Sequence, residues 1–221
     1  MKKIEAIIVA DSKNVQGDRI TTYELTFPRF ILAELLTHRL FSRNSASSRA
    51  IPFKTMLKSV EEDPFIPIAW QKDHKGMQGT EYFKDSTDLE WLKNNHLAAR
   101  DYAVERAKAA SDKGLTKQIV NRYLEPFLWH KVLVTATHFD NFFELRCPKY
   151  YGVYKSQRDL FNGKDVESRR RCISDVPNEG QGEIHIMALA EAMWDAKNKS
   201  TPKELKAGEW HCPMIEIEDD L

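Results

Sequence analysis

Two segments near the start of the chain carry the residue pattern of β-strands. Residues 4–10 and 20–27 are rich in β-branched and aromatic side chains, and a polar turn with Gly17 and Asp18 separates them. Such side chains pack well on the faces of a pleated sheet. The pattern therefore predicts an antiparallel pair of strands.

Helical spacing follows directly after the second segment. Pro28 stands where a helix can begin, and apolar residues then recur at intervals of three and four up to His38 or Arg39. This spacing predicts a short buried helix. The next stretch, 42–49, contains no large apolar residue, which predicts a loop or a solvated turn.

The longest helical pattern covers 88–113, where apolar residues recur at helical intervals and Gly114 is placed to end the helix. Weaker patterns predict three further helices and a terminal strand. The helices cover about 116–124, 138–146 and 181–197, and the strand covers 214–217.

Two parts of the chain show no regular pattern. Residues of about 55–86 contain Pro64, Pro67, Gly76 and Gly79 among aromatic and charged side chains, which predicts a long irregular loop. Loops of this length usually serve as lids or interface arms. Residues 151–179 form a polar and basic insertion.

Together these elements predict an α+β fold, with an antiparallel sheet and a helical layer. The chain has 221 residues, of which 42% are hydrophobic, so it can bury a substantial core. Length and the absence of internal repeats favour one domain over residues 1–221.

Charge and cysteine content exclude several classes of function. Lysine plus arginine and aspartate plus glutamate number 33 each, so no global field attracts nucleic acid or a membrane surface, despite the basic run 169–171. No apolar run reaches membrane-spanning length. The three cysteines have no Cys-x-x-Cys spacing, which argues against disulfides and structural metal. We expect a cytoplasmic protein with no metal site and no nucleic-acid polymer as partner.

The segment 37–49 contains the densest group of residues that could bind a ligand. Its arginines and serine hydroxyls supply many hydrogen-bond donors and several positive charges within a turn-forming stretch. Guanidinium groups and hydroxyls suit the oxygens of a phosphate. A solvated serine-rich loop is the alternative, because serine and arginine are ordinary loop residues.

The same segment resembles the signature of the flavin-dependent thymidylate synthases. That signature is Arg-His-Arg, seven residues and then Ser, and this chain has Thr37-His38-Arg39, seven residues and Ser47. The similarity extends to three further positions that the family commonly shares. They are Ser42, Asn44 and Arg49.

A second region, 141–146, supports this resemblance. Its sequence Asn-Phe-Phe-Glu-Leu-Arg is similar to a helix segment of the family in which asparagine lies against flavin and arginine reaches the pyrimidine. Weaker similarity comes from Arg122, four residues before Pro126, and from the stretch 181–184.

The resemblance implies a fold like that of thymidylate-synthase-complementing proteins, and a reaction. An enzyme of this family transfers a one-carbon group from methylenetetrahydrofolate to C5 of dUMP and reduces it, giving dTMP. FAD is the cofactor and NADPH the reductant, and the sites form between the subunits of a homotetramer.

The resemblance also implies roles for individual residues. Arg146, which is always protonated, would be the catalytic residue that stabilises negative charge developing on the pyrimidine. The implied cofactor-binding residues are His38, Arg39, His138 and Asn141. The implied nucleotide-binding residues are Glu34, Ser45, Ala46, Ser47, Ser48, Arg49, Arg122 and Arg146.

Departures from the family pattern leave alternatives open. Thr37 replaces the first arginine of the signature, Glu34 stands where a glutamine is usual, and Ser45 stands where a glutamate is usual. An ionised carboxylate cannot donate a hydrogen bond as an amide does. The acceptor could therefore be another pyrimidine nucleotide, such as dCMP, or the chain could be a catalytically silent nucleotide-binding homologue.

Several single residues also have simpler interpretations. His38 could cap the end of its helix, and Arg146 could form a surface salt bridge with Glu144. Asn141 could be only a residue of the first turn of its helix. Cys147 is more readily interpreted as structural than as a nucleophile, since the flavin route needs no thiolate.

Overall fold

A five-stranded sheet organises the chain, with the strand order β3-β4-β2-β1-β5. The structure is a computed structural model that describes residues 2–75, 81–147 and 182–214. The strands are β1 (Glu5–Lys13), β2 (Arg19–Pro28), β3 (Ser42–Ser45), β4 (Trp129–Ala136) and β5 (Lys203–Glu204).

The predicted strand pair at the start of the chain is confirmed. β1 and β2 are antiparallel, with Glu5 opposite Thr26 and Lys13 opposite Arg19. The turn between them closes because the side chain of Asn14 accepts hydrogen bonds from two backbone N–H groups. Gly17 lies in the same turn at φ 92°, where a side chain would be strained.

The strand β4, which was not among the predicted elements, lies between β2 and β3 in the sheet. It pairs antiparallel with both neighbours. Val132, Val134 and Ala136 are buried on one face, as the two-residue period of a strand requires. The sequence prediction that left this segment without an element is therefore wrong.

The prediction that 42–49 is entirely loop is also wrong, because Ser42–Ser45 forms β3. This strand pairs with β4 only, so three of its four side chains can remain exposed and polar at the sheet edge. At the opposite edge β5 runs parallel to β1, so the sheet is mixed. Of the predicted terminal strand, Met214 lies in a turn and 215–217 lie outside the described residues.

Six α-helices occur among the described residues. Pro28 is the last residue of β2 and not the start of a helix, since a 3-10 turn, Arg29–Ile31, comes first. The helices are α1 (Leu32–Leu36), α2 (Phe53–Glu62), α3 (Ser86–Asp112), α4 (Lys117–Val120), α5 (Asp140–Arg146) and α6 (Ile184–Lys199).

Most helix predictions are confirmed, with two corrections. Helix α2 falls partly inside the predicted irregular loop and buries Met56 and Val60. The segment predicted as one helix over 116–124 divides into α4 and a 3-10 turn, Asn121–Tyr123. The insertion 151–179, with its basic run, and residue Gln181 lie outside the described residues.

Two apolar clusters hold these elements together. One packs the sheet against α1, α5 and α6 through residues such as Tyr23, Phe142 and Ile186. The other joins α2, α3 and the 3-10 turns before β4. The fold is thus α+β, as predicted. None of the helices in the described ranges combines the length and apolar character that crossing a membrane requires.

Candidate functional site

The side chains of Arg146 and His38 meet where α1 and α5 end. The Nε–H of Arg146 points to Nε2 of His38 at 3.5 Å, a long hydrogen bond. His38 follows α1, while Arg146 is the last residue of α5. The two sequence segments that resemble one family therefore contribute to one place in the fold.

His38 is held between aromatic rings. Its imidazole stacks against Phe41 at 5.8 Å and meets Phe142 edge-on at 4.7 Å between ring centroids. Burial, together with the positive charges of Arg146 and Arg43, lowers the pKa of His38 below its ordinary value. The imidazole is therefore neutral at neutral pH. With Nε2 accepting from Arg146, its proton resides on Nδ1, where it can be donated to a ligand.

The end of α1 is capped by two neighbours of His38. The Thr37 hydroxyl donates to the Glu34 carbonyl at 2.7 Å, and Nη1 of Arg43 donates to the Leu36 carbonyl at 2.7 Å. Capping thus falls to Thr37 and Arg43 and not to the imidazole of His38. The Arg43 Nη1 is directed at helix carbonyls, so this group is not aimed at a phosphate as the sequence suggested.

Two carboxylates lie beside Arg146. Burial is the largest cause of the raised pKa of Glu34, followed by the negative charge of Glu183, while Arg146 acts in the opposite direction. Gly182 packs against the arginine so closely that an added Cβ would lie 3.4 Å from both its Cδ and Nη1. Glu34 was predicted as a site residue, whereas Glu183 and Gly182 were not, although both lie in the stretch 181–184.

Glu183 is fixed by His185 at the first turn of α6. One carboxylate oxygen accepts the His185 backbone N–H at 2.8 Å, and the other bonds Nδ1 of the same residue. The backbone N–H of Ile68 donates to His185 Nε2 at 3.0 Å. Because Nε2 must accept this bond, the ring proton lies on Nδ1 and points to Glu183. A glutamate and a histidine two positions apart at the start of a helix were the signal in the sequence that could have identified Glu183 as a site residue.

The predicted nucleotide residues Ser45 to Arg49 lie elsewhere on the sheet. The buried Ser48 hydroxyl donates to Glu125 Oε1 at 2.7 Å, and the Asn121 amide donates to the Ser48 carbonyl at 2.7 Å. Glu125 is also paired with Arg29 at 3.2 Å. In this chain the Ser48 hydroxyl therefore anchors its own loop.

The other predicted residues of this group are open to solvent. Exposed side chains are those of Ser45, Ala46, Ser47, Arg49 and Arg122. Ser48 approaches the residues that precede β4, whereas His38 packs against Phe142, which follows it. β4 spans roughly 23 Å at a rise of about 3.3 Å per residue. Ser48 and His38 therefore approach segments that flank this strand at its two ends, while Ser45 pairs with Val132 within it.

The remaining predicted cofactor residues surround His38 on the exposed side. Arg39, His138 and Asn141 are all exposed, and Nδ1 of His138 bonds the Thr137 hydroxyl at 2.8 Å. Guanidinium, imidazole and amide groups are donors to anionic oxygens and to ring carbonyls. This donor set fits a flavin nucleotide, whose pyrophosphate and isoalloxazine ring present both kinds of acceptor.

Cys147 is a core residue. Only 1% of its surface is exposed, and burial, with the negative charges of Glu191 and Asp195, raises the pKa of its thiol well above the ordinary value. A protonated, inaccessible thiol is not a nucleophile. The structural interpretation of this cysteine is therefore supported.

Comparison with known proteins supports the fold. No protein-family model and no curated protein matches the sequence. Two solved structures of the UMP/dUMP methylase PolB from Streptomyces cacaoi are similar. The complex with 5-Br UMP has a TM-score of 0.61 and 16% identity over 90% of each chain. The complex with 5-Br dUMP has a TM-score of 0.55 and 18% identity over 82% of this chain, which spans 66% of the length of that one.

Proposed function

We propose that this chain is a flavin-dependent enzyme that adds and reduces a one-carbon group at C5 of a pyrimidine nucleoside monophosphate. Methylenetetrahydrofolate would be the carbon donor and NADPH the reductant. With dUMP as acceptor the product is dTMP. The fold shared with a protein described as a UMP/dUMP methylase supports the choice of substrate class.

The contact between Arg146 and His38 is the observation that carries this proposal. The resemblance assigned His38 to the flavin and Arg146 to the pyrimidine, and only adjacent binding positions would allow transfer between the two. A one-carbon group cannot cross a gap, so the reacting rings must be held in contact. The meeting of these two side chains is what such an enzyme requires.

Arg146 would act on the pyrimidine as a fixed positive charge. Negative charge develops on the ring oxygens when C5 becomes a nucleophile, and a guanidinium stabilises it without exchanging a proton. Glu34 attracts the arginine electrostatically, and Gly182, which has no side chain, packs against it. These neighbours would therefore orient the arginine towards the ring.

The flavin, when bound, supplies the hydride chemistry. The chain would hold it through Arg39, His138 and Asn141, while the Nδ1–H of His38 donates a hydrogen bond to the ring. His38, neutral because of its lowered pKa, would act there as a donor and not as a cation.

The phosphate end of the nucleotide would be held by a second copy of the chain. Ser47 and Arg49 are exposed, and the Ser48 hydroxyl between them bonds Glu125 before β4, whereas His38, the partner of Arg146, packs against Phe142 after β4. A site shared between subunits would bring Arg49 of one copy to the Arg146 of another. We therefore propose the homotetramer that the family resemblance implies.

The choice of uracil nucleotides, dUMP or UMP, over the dCMP alternative rests on the fold shared with a UMP/dUMP methylase. Glu34 stands where the family has a glutamine, and burial raises the pKa of its carboxyl above the ordinary value.

A labelled-product assay tests the proposal. The purified chain is incubated with excess FAD, NADPH, methylene-labelled methylenetetrahydrofolate and either dUMP, UMP or dCMP. We expect flavin absorbance near about 450 nm and label in a 5-methyluracil nucleotide. If flavin binds but label appears only in the product of dCMP, the acceptor is dCMP and not a uracil nucleotide.

The outcome that contradicts the enzyme is absence of bound flavin and of label with every nucleotide. That outcome would favour the alternative, a catalytically silent homologue that only binds a nucleotide. Arg106→Gln is a matched control for an Arg146→Gln variant, because Arg106 is an exposed arginine paired with its neighbour Glu105. The control should retain full product formation.

A further inference from the structure

A cavity separate from the residues around Arg146 opens beside the start of β1. Its volume is about 710 Å³, within the range of small-molecule sites. Its walls come from the chain start, the segment 64–70, a short ribbon at 81–84, the first turns of α3 and the start of β4. Distant parts of the sequence therefore build one concave surface.

The apolar part of this cavity is aromatic. Trp70, Tyr82, Phe83 and Trp129 line it, together with aliphatic residues such as Ile4. Flat faces of this kind bind flat rings, through dispersion and through offset or edge-to-face contacts. The cavity therefore favours a planar, conjugated body over a flexible chain.

Three of these rings lie on two segments, 70–72 and 81–83, that are joined by backbone hydrogen bonds. The Phe83 N–H donates to the Trp70 carbonyl at 2.9 Å, and the Lys72 N–H donates to the Glu81 carbonyl at 2.9 Å. Gln71 and Tyr82 pair as an antiparallel bridge. The aromatic wall is thus preformed, which reduces the entropy lost when a ligand binds.

Positive charge borders the aromatic wall. Four lysines line the cavity, Lys2, Lys3, Lys84 and Lys93, and no acidic residue of the described ranges lines it. Two of them have acidic neighbours outside the lining: Lys2 lies 4.0 Å from Asp63, and Lys3 lies 3.6 Å from Glu5. No ion pair is formed by Lys84 or Lys93 with the part of the chain that the structure describes.

We infer that this cavity binds a planar aromatic anion, a conjugated ring system that bears a phosphate or a carboxylate. The ring would lie among Trp70, Tyr82 and Trp129, and its anionic group would meet the ammonium groups of Lys84 and Lys93 at the rim. Both parts of the ligand are needed for tight binding. The exposed lysines alone bind an anion only weakly, and the aromatic wall alone does not distinguish charged from neutral rings.

The cavity lies next to the residues around Arg146. Its lining, among the described residues, includes none of the side chains that surround this arginine. Ile68 lines the cavity, and its backbone N–H donates to His185. Tyr82 also lines the cavity, and burial, with the charge of Glu183, raises the pKa of its phenol. The ligand site is therefore adjacent to the proposed nucleotide site and distinct from it.

Binding of 1-naphthyl phosphate, measured by isothermal titration calorimetry, tests this inference. Neutral 1-naphthol and inorganic phosphate are the matched probes, each with one half of the ligand chemistry. We expect 1-naphthyl phosphate to bind at least about tenfold more tightly than either probe. Replacing it with 1-naphthoate distinguishes a phosphate group from a carboxylate. Equal affinity for 1-naphthol and the two anions, or no binding of either anion, would overturn the inference.

Variants connect this binding to the cavity. Lys84→Gln with Lys93→Gln should weaken 1-naphthyl phosphate by about tenfold or more. Ile68→Trp should weaken binding by narrowing the cavity, and it changes no charge. Lys113→Gln is the control, since this lysine stands at the opposite end of α3. Unchanged affinity in both cavity variants would overturn the inference.

The test of the cavity can be separated from the test of the proposed function. Arg146→Gln removes the residue on which that function depends, and it should leave the affinity for 1-naphthyl phosphate unaltered. A loss of binding in this variant would assign the ligand to the nucleotide site and overturn a separate cavity site.

Discussion

The guanidinium of Arg146 lies against the imidazole of His38, with Nε and Nε2 3.5 Å apart, although the two residues are 108 positions apart in the sequence. A positive charge at this distance opposes protonation of the ring, which adds to the effect of burial. The pair is therefore a neutral donor beside a permanent cation. This arrangement suits the proposed site, which would hold a flavin ring next to a pyrimidine ring.

The first prediction concerns the electrostatics of this pair. Arg146→Gln removes one of the two positive charges that lower the pKa of His38, so that pKa should rise towards its ordinary value while burial keeps it somewhat lowered. NMR titration of the imidazole C–H signals measures it. Arg39→Gln is the control, because the exposed Arg39 is not among the causes of the shift. An unchanged pKa in Arg146→Gln would contradict the geometry.

The second prediction concerns the room that Gly182 leaves. In Gly182→Ala the new Cβ would lie 3.1 Å from the Ile186 side chain and 3.4 Å from the Arg146 guanidinium. The close contact is with the fully buried Ile186, so residue 182 should shift and change its packing against the arginine. We expect nucleotide affinity, measured by calorimetry, to fall by about tenfold, with a loss of stability of less than about 1 kcal/mol.

Gly114→Ala is the matched glycine variant. Gly114 ends α3 at φ 84° with open space around it, so alanine is strained there without touching the site. It should lose about 1 kcal/mol of stability and retain full nucleotide affinity. Equal affinities for the two glycine variants would argue against the role of Gly182.

The third prediction concerns Cys147. Its thiol is buried and its pKa is raised, so Cys147→Ala should lower the free energy of unfolding by about 1 kcal/mol and leave kcat nearly unchanged. Denaturant unfolding and the labelled-product assay measure the two effects. A stable variant that has lost turnover by a factor of a thousand or more, on the order expected for a nucleophile, would show that the thiol takes part in the reaction.

The fourth prediction concerns the pH dependence of stability. Burial and the neighbouring Arg29, whose Nη1 lies 3.1 Å from Nδ1, lower the pKa of His130 to about 4. The unfolded chain binds this proton below the ordinary pKa of about 6.5, and the folded chain does not. Stability should therefore fall as pH decreases from about 6.5 to 4, by at most about 3 kcal/mol from this group.

His130→Gln isolates that contribution, because glutamine does not titrate. Denaturant unfolding of both proteins at pH 7 and pH 4.5 gives the comparison. The wild-type chain should lose more stability than the variant between these values. Parallel losses would mean that His130 takes up its proton as readily in the folded chain as in the unfolded one.

The sequence was sufficient where a pattern was long and its ends were marked. The β1–β2 pair places β-branched and aromatic residues on both sides of a polar turn, and α3 extends over 27 residues with Gly114 directly behind its cap. Both signals are local in the sequence, so they can be recognised without knowledge of the fold.

The elements that sequence patterns missed depend on tertiary contacts. β3 consists of four polar residues, and only its pairing with β4 makes it a strand. β4 itself carries a two-residue alternation of buried side chains from His130 to Ala136, a signal that was present but was not recognised. The contact of Ser48 with Glu125, before β4, and of His38 with Phe142, after β4, depends on tertiary packing that no local pattern contains.

Nucleotide binding tests the central claim most directly. Calorimetric titration of dUMP and UMP into the FAD-loaded chain, into Arg146→Gln and into the control Arg106→Gln compares three proteins that differ by one exposed or half-buried arginine. We predict saturable binding to the wild type and the control, and affinity at least about tenfold lower in Arg146→Gln. Equal affinity in all three proteins, or no binding to any of them, would contradict a nucleotide site at Arg146 and His38.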